Sequence, residues 1–286
     1  MTNETRKFKI AVIIILAVTI LWTACISVAF FWHTKAETER REGQGFGIYV
    51  CGTPVQFRNA SDVLGDGTVM YDPSANMLML TDATLESDGS AAIFAEKDVT
   101  IVLNGENKII CKGQGTTTGI YASDYMLRKD ISIMGSGTLT IEGNGEGVNT
   151  IAAIVADDIW AYSNISVSLS DVAAESAGIE CSFLALLGEN TVSVDLDSVG
   201  ESSGIYVGGN AVMFEKSTLD VSVTCAGNED RGIECTGSFT AGEGSTIYSS
   251  AGEDGRGILC HNTFFNEGAA VNCEIEAIDG IRHETD

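Results

Sequence analysis

The stretch Gly204-Ile205-Tyr206-Val207 returns as Gly-Ile-Glu-Cys at 232–235 and as Gly-Ile-Leu-Cys at 257–260. The isoleucine of this motif recurs down the chain at spacings of 23 to 34 residues. Its eight predicted positions are Ile93, Ile120, Ile154, Ile179, Ile205, Ile233, Ile258 and Ile281. A period in this range is typical of a solenoid, in which each repeat buries its apolar face by stacking on its neighbours.

The residues around each isoleucine form columns of similar side chains. Residues i and i+2 of a strand share a face, so Ile205 and Val207 are predicted to point inward and Tyr206 outward. The residue before the isoleucine is small in every repeat, and its glycines fit a tight corner, where they would allow a positive φ. The predicted outward column is Phe94, Tyr121, Val155, Glu180, Tyr206, Glu234, Leu259 and Arg282.

A second alternating run follows later in each repeat, as in Val192-Val194-Leu196 and Val271-Cys273-Ile275. Its period of two indicates strands, and no segment after residue 42 has the periodicity of a long amphipathic helix. We therefore predict an all-β fold, a parallel β-helix of about seven coils over residues 91–286. Its coil length resembles that of right-handed β-helices.

Residues 46–90 lack the isoleucine repeat and are predicted to form an N-terminal β cap. Short apolar runs place strands at 46–50, 55–57, 68–71 and 77–80. A solenoid exposes strand edges at its ends, and a cap of this kind would cover one of them.

The N-terminal residues contain a stretch of 23 uncharged residues, from Ile10 to Trp32. As a helix it would be about 35 Å long, enough to cross a bilayer core of about 30 Å. We predict a single transmembrane anchor here, between a cytoplasmic tail at 1–9 and a polar tether at 33–45. The β-helix would then be extracellular, at the cell membrane. A cleaved signal peptide is the alternative, and the flanking basic residues do not decide the orientation.

The chain carries a formal net charge of −24. Such a charge disfavours nucleic acid as a partner and is compatible with neutral glycans, cations or basic proteins. It also fits an acidic surface that serves solubility alone.

Eight cysteines occur, and none forms a CxxC pair. Three of them, Cys181, Cys235 and Cys260, fall in the inward column. Cys235 and Cys260 lie on adjacent coils, where a disulfide is conceivable, but we expect packed thiols that behave as small apolar side chains.

Several stretches of the N-terminal half have a familiar pattern. They are Asn-Ala-Ser-Asp-Val-Leu-Gly-Asp-Gly-Thr-Val at 59–69, Ile-Val-Leu-Asn-Gly-Glu-Asn at 101–107 and Gly-Ser-Gly-Thr-Leu-Thr-Ile at 135–141. This pattern resembles cell-surface β-helix proteins of gut Firmicutes that are labelled carbohydrate-binding domain-containing, whose fold is similar to the polysaccharide-lyase solenoid. The resemblance implies surface display, with glycan and calcium binding as expectations. It assigns no binding residue, because the shared motifs are turns and strands.

One acidic column is a candidate metal site. Four positions before the isoleucine, consecutive coils carry Glu175, Glu201, Glu229 and Asp254. Carboxylates stacked about 5 Å apart repel one another unless a cation compensates them, and calcium takes oxygen ligands of this kind. Pairing with Arg231 and Arg256, or side chains that splay into water, are the alternatives.

Four aromatic residues are the candidate ligand-binding residues: Tyr121, Trp160, Tyr162 and Tyr206. Sugars bind on aromatic platforms with polar groups around them. Tyr121 and Tyr206 lie three coils apart and cannot form one small pocket, and packing against neighbouring loops is the alternative for each. His261 is interpreted as a turn residue, and no catalytic motif is present.

These observations predict a membrane-anchored extracellular binding or display module, non-catalytic and directed to glycans. Partners are the membrane through Ile10–Trp32, and a polysaccharide or a surface protein. A structural or adhesive protein that binds another protein is the first alternative. A divergent polysaccharide lyase is the second.

Overall fold

A computed structural model describes residues 43–283, with gaps at 89, 113–114, 125, 145–147, 173–175, 201, 226–229 and 253–254. The predicted membrane anchor Ile10–Trp32 lies outside the described residues. Within those residues, no helix with the length and hydrophobicity of a membrane span is found. The described chain consists of β-strands and turns, which confirms the all-β prediction.

The strands form three sheets, which we call A, B and C. The compact unit that they build comprises residues 45–55 and the described residues from 59 onward. Sheet A contains β1 (Gly45–Val50), β2 (Thr53–Gln56), β6 (Ala91–Ala95), β9 (Gly115–Ala122), β12 (Val148–Val155), β15 (Ala177–Cys181), β18 (Ser203–Val207), β21 (Arg231–Cys235), β24 (Arg256–Cys260) and β27 (Ile275–Ala277). Sheet B contains β3 (Val69–Asp72), β4 (Met77–Thr81), β7 (Val99–Asn104), β10 (Ile131–Gly135), β13 (Asp158–Ala161), β16 (Phe183–Leu186), β19 (Ala211–Met213), β22 (Phe239–Ala241), β25 (Phe264–Asn266) and β28 (Ile281–His283). Sheet C contains β5 (Thr84–Asp88), β8 (Glu106–Lys112), β11 (Thr138–Asn144), β14 (Asn164–Val172), β17 (Thr191–Ser198), β20 (Thr218–Cys225), β23 (Thr246–Ala251) and β26 (Ala270–Asn272).

The chain passes through sheets A, B and C in turn, first in β6, β7 and β8 and last in β24, β25 and β26. Six further coils thus stack on the first one, and β27 and β28 extend sheets A and B. Strands of successive coils pair in parallel, as in β9 with β12 and β12 with β15. The fold is therefore a parallel β-solenoid, as predicted.

Seven of the eight predicted isoleucines form one continuous ladder in sheet A, from Ile93 to Ile258, and all are buried. The eighth prediction is wrong. Ile258 pairs with Ile275, whereas Ile281 lies in β28 of sheet B beside Phe264 and is 44% exposed. The reason is a short last coil, in which Ile275 follows Ile258 after only 17 residues. The outward residue of that coil is consequently Glu276, and not Arg282.

The predicted Val271-Cys273-Ile275 run is divided by the same short coil. Val271 belongs to β26 of sheet C and Ile275 to β27 of sheet A. The other predicted runs pair in register within sheet C, as Val192 does with Leu219.

The glycines that precede the buried ladder isoleucines are required by close packing and have no positive φ, whereas Gly280, before Ile281, has a φ of 94° as a tight corner requires. Gly204, for example, does not have a positive φ. A Cβ atom on Gly204 would lie 2.4 Å from Val221 Cγ1 and 2.7 Å from the carbonyl oxygen of Gly232 on the next coil. Only a residue without a side chain fits between these two neighbours.

The N-terminal strands end two of the sheets. β1 pairs antiparallel with β6, with Tyr49 opposite Phe94, and β3 pairs antiparallel with β4. β4 and β5 already pair in parallel with β7 and β8. β1 to β4 begin and end within two residues of the strands predicted for this region.

The inward cysteines are packed thiols, as predicted. Cys181, Cys235 and Cys260 are buried and free. The Cys235 thiol donates a hydrogen bond to the carbonyl oxygen of Gly209 at 3.0 Å. Burial raises the pKa of the Cys181 thiol, so this side chain is an unreactive part of the core.

Candidate functional site

The outer face of sheet A carries a groove that follows the stack of coils. Its first wall is the outward column, in which each residue pairs with the next: Tyr49, Phe94, Tyr121, Val155, Glu180, Tyr206, Glu234, Leu259 and Glu276. Beside it lies a column that is small in the first five coils: Ala91, Thr118, Ala152, Ala177 and Ser203. Large side chains next to small ones leave a depression between them.

Three cavities of about 490, 410 and 290 Å³ lie along this face. The first and second share Tyr121 and Arg128, and the second and third share Glu180. We call them the aromatic end, the middle and the polar end of the sheet A groove.

Three rings lie on adjacent strands at the aromatic end, and two of them, Phe94 and Tyr121, line its cavity. The ring centroids of Tyr49 and Phe94 lie 5.7 Å apart. Those of Phe94 and Tyr121 lie 5.9 Å apart, with the ring planes only 15° from parallel. Aromatic pairs prefer offset or tilted contacts at such distances, so the three rings support one another as a platform.

A loop between β9 and β10 forms the side of the aromatic end. Asp124 accepts hydrogen bonds from the backbone N–H groups of Met126 and Leu127, both at 2.8 Å, and pairs with Lys129 at 2.7 Å. The hydrogen bond from Lys129, helped by the two backbone bonds, lowers the pKa of Asp124 to about 2. The side chains of Met126 and Leu127 are 89% and 68% exposed at the rim.

The middle of the groove is crossed by an ion pair between Arg128 of this loop and Glu180 of β15. The two residues are 52 positions apart in sequence. Ala152 and Val155 of β12 lie on the same cavity wall. The loop is thus tied to a strand two coils further along the groove.

The polar end is organised around Glu234, which is almost fully buried. Its carboxylate accepts hydrogen bonds from Arg231 Nη1 at 2.9 Å and from the Ser203 hydroxyl at 3.4 Å. His261 Nε2 lies 3.2 Å from its second oxygen. These contacts hold the carboxylate in one orientation beside Tyr206.

Two serine hydroxyls line the polar end without a partner. Ser176 and Ser202 are only 3% and 6% exposed, and within the described residues neither hydroxyl makes a hydrogen bond. The backbone around them is well bonded, since Asp230 accepts the N–H of Ser202 at 3.0 Å. A buried polar group without a partner costs about 1–3 kcal/mol, so such groups call for a physical explanation.

The four predicted aromatic residues lie on two different faces. Tyr121 and Tyr206 both line the sheet A groove but in separate cavities, one at each end. Trp160 belongs to β13 of sheet B, where its ring packs against Phe183 at 5.3 Å, and the exposed Tyr162 follows it. The structure therefore does not bring Trp160 and Tyr162 together with the two groove tyrosines.

The predicted metal ligands Glu175, Glu201, Glu229 and Asp254 all lie outside the described residues, and the calcium site stays a prediction. A different acidic cluster occurs where the chain enters sheet B. One carboxylate oxygen from each of Asp130, Asp157 and Asp158 lies within 4.8 Å of the others. Burial and the neighbouring carboxylates raise the pKa of Asp158.

The sequence contained signals for two features that its analysis missed. Phe94 stands directly before Tyr121 in the predicted outward column, which places two aromatic rings on neighbouring strands. The loop that carries Arg128 is an insertion. Ile133 follows Ile120 by 13 positions, whereas in the preceding coil Ile101, which pairs with Ile133, follows Ile93, which pairs with Ile120, by only 8. The wide spacing between Ile120 and Ile154 indicated this insertion.

No protein-family model, curated protein or solved structure matches this chain. The fold defines the class, a parallel β-solenoid with a groove on one sheet face.

Proposed function

We propose that this protein is a membrane-anchored extracellular module that binds glycans in the sheet A groove without catalysing their cleavage. The observation that carries the proposal is the platform of Tyr49, Phe94 and Tyr121 at one end of the groove. Binding sites for small molecules combine aromatic walls with a few placed polar groups. The groove has this composition, with ion-paired and hydroxyl groups beyond the rings.

The length of the groove favours an oligosaccharide over a single sugar. Its cavities are lined by strands from β6 to β21, which are five strand spacings or about 24 Å apart. Several sugar rings in a row can contact such a surface at once. Weak contacts of this kind add up along a chain.

The remaining parts of the proposal rest on the sequence. The uncharged segment Ile10–Trp32 is the proposed anchor, and the net charge of −24 is compatible with a neutral ligand. The resemblance to surface-displayed β-helix proteins supports the extracellular location. The right-handed sense of the coil and a calcium ion at Glu175 to Asp254 are further expectations.

Substitution of the platform tests the proposal. A glycan array first identifies an oligosaccharide, and calorimetry then measures its affinity for the wild type and for Phe94→Ala. We expect at least a tenfold loss, which corresponds to about 1.4 kcal/mol, because the central ring of the platform is removed. Trp160→Ala is the matched control, since it removes an outward aromatic ring from sheet B, and its affinity should equal that of the wild type.

A structural or adhesive role is a second candidate. It is favoured by Met126 and Leu127, two apolar side chains that are largely exposed at the rim of the groove. Light scattering distinguishes the two candidates. A defined oligomer that is lost in the Met126→Ser/Leu127→Ser variant, in a protein that binds no sugar on the array, would support the adhesive role.

A further inference from the structure

We infer that the polar end of the groove is a subsite for one neutral sugar ring, with Ser176 and Ser202 as hydrogen-bonding partners of its hydroxyls. The inference rests on the proposed function and gives the chemical class of the ligand. It depends on the unpartnered hydroxyls, the charge balance of the cavity and its size.

The two serine hydroxyls are the first observation. Both are more than nine-tenths buried, both line the 290 Å³ cavity, and neither has a hydrogen-bond partner among the described residues. A hydroxyl can donate one hydrogen bond and accept two. A sugar hydroxyl offers the complementary groups, so a bound ring would satisfy Ser176 and Ser202 together.

The charges of the cavity are the second observation. Arg231 is paired with Glu234 at 2.9 Å, and Arg128 is paired with Glu180. The two cations are thus compensated by carboxylates that line the same cavity. The carboxylate of a uronic acid would meet two like charges here, whereas a neutral hydroxyl can donate to a carboxylate and gain a charge-assisted hydrogen bond.

The size of the cavity is the third observation. A volume of 290 Å³ is just below the range of pockets for drug-sized ligands, which begins at about 300 Å³, so it suits a smaller group. Tyr206 lies on its wall and offers a ring face beside the polar groups. One sugar ring fits this space, and the neighbouring units of the chain would continue toward the aromatic end.

The test is calorimetry on the full chain with five probes, namely the tetrasaccharides of glucose, galactose, mannose, xylose and galacturonate. We expect at least one neutral tetrasaccharide to bind, and to bind at least tenfold more tightly than tetragalacturonate. The Ser176→Ala/Ser202→Ala variant should bind it about tenfold more weakly. This variant should melt at the same temperature as the wild type or higher, because it removes two unpartnered buried hydroxyls.

The control is Ser163→Ala, whose buried hydroxyl donates to the carbonyl oxygen of Gly135 at 2.9 Å, away from the groove. This variant should melt at a lower temperature and bind the sugar like the wild type. Wild-type affinity in the double serine variant, together with a loss in Phe94→Ala, would overturn this inference and leave the proposed function intact. Tetragalacturonate as the tightest ligand would also overturn the inference alone. Failure of all five probes and of the wider glycan array would overturn both.

Discussion

The isoleucine ladder predicts that one substitution has very different effects at two positions. Ile205 is fully buried between Ile179 and Ile233 of the neighbouring coils. Replacing it with alanine removes three buried carbon groups, or about 2.4 kcal/mol of transfer free energy. The cavity left between two fixed neighbours adds to this cost, for a total of about 3–4 kcal/mol. Ile281 is 44% exposed, and the same change there should cost about 1 kcal/mol, without a closed cavity.

Urea unfolding followed by far-ultraviolet circular dichroism measures both variants. A solenoid is stabilised largely by contacts between adjacent repeats, so the midpoint of the main transition is the quantity to compare. We expect a clear fall in the midpoint for Ile205→Ala and a small shift for Ile281→Ala. Equal shifts in the two variants would refute the reasoning, because they would place Ile281 within the buried ladder in place of Ile275.

Three further predictions concern packing, thiols and pH. Gly204→Ala should lower the free energy of unfolding, measured in urea, by about 1–3 kcal/mol, because the new Cβ would lie 2.4 Å from a methyl group of Val221. The control is Gly252→Ala, which has no atom within 4 Å of the new Cβ and should change this free energy by less than about 0.5 kcal/mol. Cys260 should react with a disulfide reagent only in the unfolded protein, since its hydrogen bond with Cys235 and its burial raise its pKa; fast labelling under native conditions would contradict this. Asp124 has a pKa of about 2 in the folded protein, below its unfolded value of about 3.9. Its stabilisation of the loop between β9 and β10 is therefore complete above about pH 4 and is lost as the pH falls toward 2. Hydrogen exchange of the loop should show this pH dependence in the wild type and not in Asp124→Asn.

The repeat architecture was readable from the sequence because parallel stacking pairs like positions of successive coils. Ile93 to Ile258 kept one register despite spacings that vary by several residues, since insertions are absorbed at the corners. The register of the last coil could not be predicted, because a corner can also be shortened. Both Ile275 and Ile281 have a suitable side chain, and only the path of the final corner decides which of them continues the ladder.

The candidate site was predicted in part. Tyr121 and Tyr206 were correctly placed on the outer face of one sheet and in separate cavities. Phe94 and the inserted loop left a signal in the outward column and in the repeat spacing, but the ion pair of Arg128 with Glu180 could not be predicted, because it joins residues on different coils. Burial of the Ser176 hydroxyl likewise depends on contacts with other coils, which the repeat pattern does not specify.

The sequence by itself determined the all-β class, the coil length and the side of each strand that faces the core. These follow from two short-range rules, the alternation of side chains along a strand and the pairing of equal positions on adjacent coils. Only the tertiary structure decided that the loop after β9 lies beside sheet A, and therefore which charged, aromatic and hydroxyl groups meet in one groove. The physical reason is that contacts between loops and sheet faces depend on the shape of several coils at once, and no local pattern specifies that shape.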